Sequence, residues 1–93
     1  MQVTVEYAAQ IKRVAGVAQD VIQLDAPCPV AEIARLAAAN HGDSLAEMLF
    51  DENGQPRPSI LVFKGEDQVR WDDTTTRVGD GETITLLSPV SGG

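Results

Sequence analysis

The side chains of this chain offer few groups that could catalyse a reaction. His41 is the only histidine and Cys28 the only cysteine, so a Ser-His-Asp triad, a histidine-rich metal site and an internal disulfide are all unsupported. His41 stands at a predicted helix end, where a cationic side chain suits the helix dipole. Cys28 lies between two prolines and has neither a second cysteine nor a paired histidine to make it reactive. We expect structural roles for both residues.

Acidic pairs and glycine-rich turns are the next candidates for a binding site. Glu66-Asp67 and Asp72-Asp73 lack the ligand spacing of a calcium loop, so we expect them to form solvated turns. Gly79-Asp80-Gly81 precedes a predicted strand rather than a helix, which is the wrong context for a phosphate-binding loop. The sequence therefore predicts no metal site.

The remaining candidate is the pair Gly92-Gly93. A carboxylate on an unhindered glycine is a group that an ATP-using enzyme can convert into an acyl adenylate. Residues without Cβ atoms can also thread a narrow channel and let a partner approach closely. Pro89 stiffens the start of this segment because its ring fixes φ. The alternative is that the two glycines are an uninformative end of the chain.

Hydrophobic periodicity in the first half predicts a hairpin followed by helices. Residues 2–7 alternate between polar and apolar, and residues 17–24 are again rich in β-branched side chains, so the first two strands should pair. A helical turn is expected around Ile11 and Val14. After Pro29 the spacing becomes helical, with one apolar stripe: Val30, Ile33, Ala34 and Ala37. Asp43 or Ser44 is expected to cap a short second helix that runs to Phe50.

The second half reads as three strands joined by polar turns. Residues 51–58 form a loop, and strands are predicted at 60–63, 68–71 and 83–87, with Ile84 and Leu86 facing inward and Leu87 away from the core. This order predicts an α+β, β-grasp (ubiquitin-like) fold, with a mixed four- to five-stranded sheet, one main helix and a short second helix. We expect one domain over residues 1–87 and a flexible C-terminal tail over 88–93.

The net charge limits the class of partner. Fourteen acidic residues against seven basic ones give a formal charge of -7, and only 4% of the residues are aromatic. A nucleic-acid partner is therefore not expected. A basic protein surface would be attracted to such a chain, although the charge could equally serve only solubility. No signal peptide and no membrane span is expected, so the predicted location is the cytoplasm.

A resemblance to a known family supports the importance of the terminal glycines. Residues 78–93 read Val-Gly-Asp-Gly-Glu-Thr-Ile-Thr-Leu-Leu-Ser-Pro-Val-Ser-Gly-Gly. This segment resembles the end of the MoaD/ThiS family of ubiquitin-like sulfur carrier proteins, in which an Asp-Gly-Asp/Glu turn leads into an apolar strand and a Pro-Val-Ser/Ala/Thr-Gly-Gly ending. The match is closer to MoaD, the small subunit of molybdopterin synthase. MoaD-like tails commonly carry two prolines, whereas Ser88 precedes Pro89 here.

The resemblance implies that partners carry out most of the chemistry. An E1-like enzyme of the MoeB/ThiF type would adenylate Gly93 with its own ATP and Mg, and a sulfur donor would convert the adenylate into a thiocarboxylate. The chain would bind no cofactor and would not be an enzyme by itself. The acceptor would be an enzyme such as the molybdopterin synthase large subunit. Recognition by partners is assigned to the residues before Gly93: Gly92, Ser91, Val90, Pro89 and Leu87.

Three alternatives remain at this point. The sulfur could go to another pathway, such as thiazole, cysteine or tRNA thiolation. Gly93 could instead form isopeptide bonds with lysines, which would make the chain a protein modifier. Finally, the chain could be a plain β-grasp binding module in which Gly-Gly is incidental.

Overall fold

The computed structural model describes residues 1–71 and 73–88. The chain forms short strands and helices within these residues. In order, they are β1 (Gln2–Ala9), α1 (Gln10–Ala15), β2 (Gln19–Gln23), β3 (Cys28–Pro29), α2 (Val30–Ala39), α3 (Asp43–Leu49), β4 (Leu61–Lys64), β5 (Asp67–Val69), β6 (Arg77–Val78) and β7 (Thr83–Ser88).

Five of these strands build one mixed sheet, in the order β2-β1-β7-β4-β5. β1 and β2 pair antiparallel, as the sequence predicts, and β1 and β7 run parallel. β4 is antiparallel to both β7 and β5. The parallel pair requires the chain to cross over between β1 and β7, and the helices provide that connection. The predicted α+β, β-grasp architecture is confirmed.

The core lies between one face of the sheet and α2. The four residues of the predicted α2 stripe are completely buried, as are Val3 and Val5 of β1 and Ile84 and Leu86 of β7. Burying each valine, isoleucine or leucine side chain in this set stabilises the fold by roughly 1.5–3 kcal/mol, and each alanine by less. The two-residue alternation in β1 and β7 places apolar side chains on one face of the sheet, and the 3.6-residue spacing in α2 places them on one face of the helix. These two faces pack together to form the core.

Several local predictions need correction. The predicted cap of α3 is wrong, because no side chain caps this helix and its N-cap residue is Gly42, with φ 81°. The helical turn expected around Ile11 and Val14 is confirmed as helix α1, in which Ile11 is buried and Val14 is 40% exposed. β5 ends at Val69 rather than at residue 71, and β7 extends to Ser88.

The pairing of β3 with β6 has no counterpart in the prediction from sequence. β3 and β6 pair antiparallel as a separate two-stranded sheet, with Cys28 opposite Val78. Two-residue strands carry too little periodicity to be recognised in a sequence.

Among the described residues, no helix is long and apolar enough to cross a membrane.

Candidate functional site

The Asp-Gly-Glu turn before β7 is tied to the first strand. Asp80 accepts a hydrogen bond from the backbone N–H of Gln2 (2.8 Å), and the Gly81 N–H donates to the Gln2 carbonyl, also at 2.8 Å. Gly81 has φ 80°, a left-handed conformation that glycine adopts without strain. The turn that the family resemblance highlights therefore fixes where β7 begins.

Glu82 connects the same turn to β4. One carboxylate oxygen accepts a hydrogen bond from the Gly79 N–H (2.9 Å), and the other lies 3.1 Å from the Lys64 ammonium. The backbone hydrogen bond from Gly79 is the main cause that lowers the pKa of Glu82 below its usual value. Burial opposes this effect, and the hydrogen bond and charge of Lys64 lower the pKa further. Lys64 also donates to the Arg77 carbonyl. Glu82 thus has a positioning role at the start of β7.

β7 is the central strand of the five-stranded sheet and is paired on both sides. Its register places Leu87 between Ala8 of β1 and Leu61 of β4. Its last residue, Ser88, lies opposite Ala9. β7 therefore ends in the middle of the sheet, where Leu87 is paired on both sides and Ser88 is paired with β1.

The open face of the sheet carries an apolar cluster at this end. Because strand residues alternate between faces, Leu87 lies opposite the buried Leu86, on the side away from α2. Its cross-strand neighbours Ala8 and Leu61 share that face, as does Phe63 of β4, and all four side chains are partly exposed. We call these four residues the β7 patch. An exposed cluster of this kind is typical of a protein-binding surface.

A strained residue and a basic helix follow Ala8 of the β7 patch along the chain. Ala9 has φ 56° although it is not glycine, a conformation that costs about 1–3 kcal/mol and that often occurs at functional sites. It leads into α1, which lies against β1 and β7 and carries the exposed Lys12 and Arg13 in its last turn. The helix that follows β1 thus carries two exposed cations in a strongly acidic protein.

The other predicted site residues fall outside the described residues. This applies to Pro89, Val90, Ser91, Gly92 and Gly93. Their roles in activation and recognition remain predictions. Of the predicted partner-binding set, Leu87 is the one that the structure places.

His41 takes part in a polar cluster that the sequence does not predict. The Tyr7 hydroxyl donates to Asp20 Oδ2 (2.7 Å), and His41 Nε2 lies 2.5 Å from the same oxygen. Burial raises the pKa of Tyr7, as do the hydrogen bond to Asp20 and its charge. Burial alone would raise the pKa of Asp20, but the hydrogen bonds from Tyr7 and His41 and the charge of His41 lower it overall. The cluster joins β1 and β2 to His41, which lies two residues beyond the end of α2.

The remaining sequence candidates have local hydrogen-bonding partners. The Cys28 thiol donates to the Ala26 carbonyl (3.2 Å). Asp73 accepts hydrogen bonds from the backbone and hydroxyl of Thr75 and from the Thr76 hydroxyl, so it stabilises a turn. Asp72 lies outside the described residues.

Comparisons with known proteins bear on the whole chain. No protein-family model matches it. Small archaeal modifier protein 3 of Haloferax volcanii is 29% identical over 94 residues, covering all of both chains. The crystal structure of SAMP1 from the same organism superposes with a TM-score of 0.86 at 20% identity, again over the full length of both. The chain is a homologue of the small archaeal modifier proteins.

A third comparison connects the fold to the sulfur carriers. The complex of subunits 1 and 2 of the molybdopterin-converting factor from Helicobacter pylori contains a chain that matches with a TM-score of 0.58 at 22% identity, over the full length of both. The fold is thus that of the MoaD-like ubiquitin-like carriers, in agreement with the resemblance in residues 78–93. In that solved structure, the similar chain is bound to a partner subunit.

Proposed function

We propose that this homologue of the small archaeal modifier proteins is a sulfur carrier whose reactive group is the Gly93 carboxylate. The observation that carries the proposal is the combination of full-length similarity to a small archaeal modifier protein with a Gly-Gly pair four and five residues beyond Ser88 of the central strand. A partner can bind the five-stranded sheet while residues 89–93 enter the partner's active site. At about 3.3 Å per residue, five extended residues span roughly 17 Å.

In the first step, a Gly93 carboxylate oxygen attacks the α-phosphorus of ATP on an E1-like enzyme and pyrophosphate leaves. A sulfide equivalent from a sulfur donor then displaces AMP from the acyl adenylate and leaves a thiocarboxylate. The thiocarboxylate sulfur is a better nucleophile than oxygen and attacks an electrophilic carbon of a substrate on a second enzyme, displacing a leaving group from that carbon. Hydrolysis of the resulting thioester between carrier and substrate then leaves the sulfur on the substrate and regenerates the Gly93 carboxylate. ATP and Mg belong to the activating enzyme, and the chain contributes the carboxylate, its access and the surface that positions it.

The β7 patch is the proposed docking surface for these partners. Leu87 and Leu61 lie beside the point from which the tail departs, so a partner that covers them also holds the tail at a fixed distance from its active site. Lys12 and Arg13 of α1 would attract and orient an acidic region of the partner's surface. The acidic residues in the rest of the chain would do the same for a basic region.

The proposed acceptor pathway is molybdopterin synthesis. It is supported by the Pro-Val-Ser-Gly-Gly ending and by the similarity to a chain of the Helicobacter pylori molybdopterin-converting factor complex. On this proposal the chain would form the small subunit of a synthase, next to a large subunit that binds the precursor.

A second candidate function is protein modification. It is favoured by the full-length relative, which is a small archaeal modifier protein. The same adenylate would then be attacked by a lysine amine, which forms an isopeptide bond and releases AMP. Both functions share the activation of Gly93 and differ in the nucleophile that follows.

The test is intact-mass analysis of the protein after incubation with ATP, sulfide and the E1-like enzyme of its host. We expect a species heavier by the difference between one sulfur and one oxygen, localised to the C-terminal peptide. A variant that lacks Gly93 should show no such species and serves as the matched control. If the native protein stays unmodified while the enzyme is active on its other carriers, the sulfur-carrier proposal is wrong.

A separate experiment distinguishes the carrier from the modifier. Cell extracts are probed for conjugates of the tagged protein, with the Gly93-deleted variant beside it. Higher-mass conjugates that disappear in the variant would establish modification. Their absence, together with the thiocarboxylate, would leave sulfur transfer as the function.

A further inference from the structure

The outer side of β2 is an edge of the five-stranded sheet, because β2 stands first in the strand order with β1 as its neighbour. Backbone hydrogen bonds at both ends of β2 show which of its groups face β1. Leu24 accepts from and donates to Met1, at 3.0 and 2.8 Å. The Ala18 carbonyl accepts from the Tyr7 N–H at 2.9 Å. The even-numbered residues at either end of β2 therefore direct their backbone groups towards β1.

Three residues within β2 direct their backbone groups away from the sheet. Backbone groups in an antiparallel pair point to alternate sides along the strand, so the odd-numbered residues face outward: Gln19, Val21 and Gln23. We call these three residues the outward row. Their N–H and C=O groups form no hydrogen bond with any described residue. All three are exposed, and Val21, at 51%, has the largest exposed fraction among the described large apolar residues.

β2 lacks most of the features that protect a sheet edge from pairing. Protected edges are short, charged, bulged or interrupted by proline. The opposite edge, β5, has three residues and begins with the exposed Asp67. β2 has five residues, pairs with β1 in an unbroken register and contains one charged residue, Asp20. The Asp20 carboxylate already has Tyr7 and His41 as hydrogen-bonding partners, and the outward row is neutral.

The outward row is complementary to itself. It reads Gln, Val, Gln in both directions, so a two-fold axis through Val21 places Val21 opposite Val21 of a second copy and Gln19 opposite Gln23. Each of these pairs exchanges two backbone hydrogen bonds, and the two valines pack together. In the same register Asp20 lies opposite Ile22, so within β2 no charge faces a like charge. This is the symmetry of a closed dimer.

We propose that the outer edge of β2 binds a second copy of this chain, antiparallel, so that one sheet continues across both copies. The paired strands are short, and the contact therefore belongs to the weak, transient class that buries less than about 1,200 Å². We expect a Kd of about 0.1–1 mM. β1 separates β2 from β7 and β4, so the pairing leaves Leu87 and Leu61 of the β7 patch open. The proposal does not depend on the activation of Gly93.

NMR of the ¹⁵N-labelled protein tests the proposal at the level of single N–H groups. Amide exchange with water is compared at about 20 µM and about 2 mM, on either side of the expected Kd. The N–H groups of the outward row should exchange at least about twofold more slowly at the higher concentration, because they become hydrogen-bonded. Those of Asp20 and Ile22, which face β1, should not change. A chain whose outward row shows no concentration dependence would overturn the proposal and leave the edge to a strand of another protein.

Salt provides a second test, by sedimentation equilibrium. Each copy carries a formal charge of -7, so the copies repel one another over a distance that salt shortens. The pairing itself joins neutral residues. Association should therefore tighten at least about twofold between about 0.1 M and 1 M NaCl. Association that weakens with salt would mean that ion pairs hold the copies together, and the proposal would be wrong.

Two matched double variants test the register. Gln19→Lys with Gln23→Glu places opposite charges in both glutamine pairs and should tighten the dimer at least about twofold. Gln19→Lys with Gln23→Lys places like charges there and should weaken it at least about twofold, although this variant has the smaller net charge. Thermal unfolding verifies that both variants are folded. If the second variant associates as tightly as the first, the copies do not pair in this register and the assignment is overturned.

Discussion

Replacing Asp20 by asparagine tests the polar cluster that joins β1, β2 and the end of α2. Asparagine keeps the shape of the side chain but removes the charge that holds the Tyr7 hydroxyl and His41 Nε2. Tyr7 is only 4% exposed, and the side chains of His41 and Asp20 are 15% and 23% exposed, so water replaces the lost acceptor poorly. A hydrogen bond to a charged group contributes roughly 1.5–3 kcal/mol.

We therefore expect Asp20→Asn to lower the free energy of unfolding at pH 7 by about 2–3 kcal/mol. In a domain of this size each kcal/mol lowers Tm by roughly 4–8 °C, so the melting temperature should fall by about 10–20 °C. The assay is urea unfolding followed by the fluorescence of Trp71, with circular dichroism as a second probe. Asp25→Asn is the matched control, since Asp25 is an exposed aspartate just beyond β2 and should change stability by less than about 0.5 kcal/mol.

The pH dependence gives the result that would refute this reasoning. The folded-state pKa of Asp20 lies below its unfolded value of 3.8. The stability it contributes is therefore fully present above that unfolded pKa and is lost as the pH falls through the lower folded pKa. The native protein and Asp20→Asn should thus converge in stability at acid pH. A difference below about 0.5 kcal/mol at pH 7, or one that stays constant into the acid range, would show that the carboxylate is not the stabilising group.

Three further predictions follow from the same structure. Ile33→Ala, in the fully buried stripe of α2, should cost about 2–5 kcal/mol in urea unfolding, and a loss below about 1 kcal/mol would contradict the core as described. Gly42→Ala should destabilise by roughly 1–3 kcal/mol, because φ 81° with ψ -167° is accessible essentially only to glycine; unchanged stability would mean that α3 begins differently. Glu82→Gln should retain its hydrogen bond from Gly79 but lose the ion pair with Lys64. Thermal unfolding at pH 7 should therefore show a free energy of unfolding lower by less than about 1 kcal/mol. A larger decrease would argue that the ion pair is more than a surface interaction.

The main elements could be predicted because their periodicity reflects a single buried face. Val3 and Val5 alternate with polar residues, and Ile33 and Ala37 recur at helical spacing, so the core side of β1 and α2 can be read from local sequence. The start of α3 could not be predicted in this way. Asp43 is a good N-cap residue by type, but the preceding glycine takes the cap position instead and bends the chain there.

The polar cluster was missed for a different reason. Asp20 and His41 are 21 residues apart, and nothing local to either indicates the other. The one available signal is that Asp20 falls two residues before the buried Ile22 and so shares its face of β2. A charged residue at an inward position needs a partner, and that argument would have directed attention to Tyr7, which faces inward from β1.

The arrangement of β7 also explains how one strand can serve both stability and docking. Leu86 and Leu87 are adjacent, yet they lie on opposite faces of the sheet, one in the core and one in the β7 patch. Leu86→Ala should therefore cost about 2–5 kcal/mol in unfolding while leaving the β7 patch in place. Leu87→Asp should leave unfolding within about 1 kcal/mol of the native protein, but it should slow Gly93 activation by the E1-like enzyme at least about tenfold. Val21→Asp, at an exposed position on the same face of the sheet but on the edge strand β2, is the control for the added charge. If Leu87→Asp activates as fast as this control, the partner does not dock on the β7 patch, even if Gly93 is still the residue it activates.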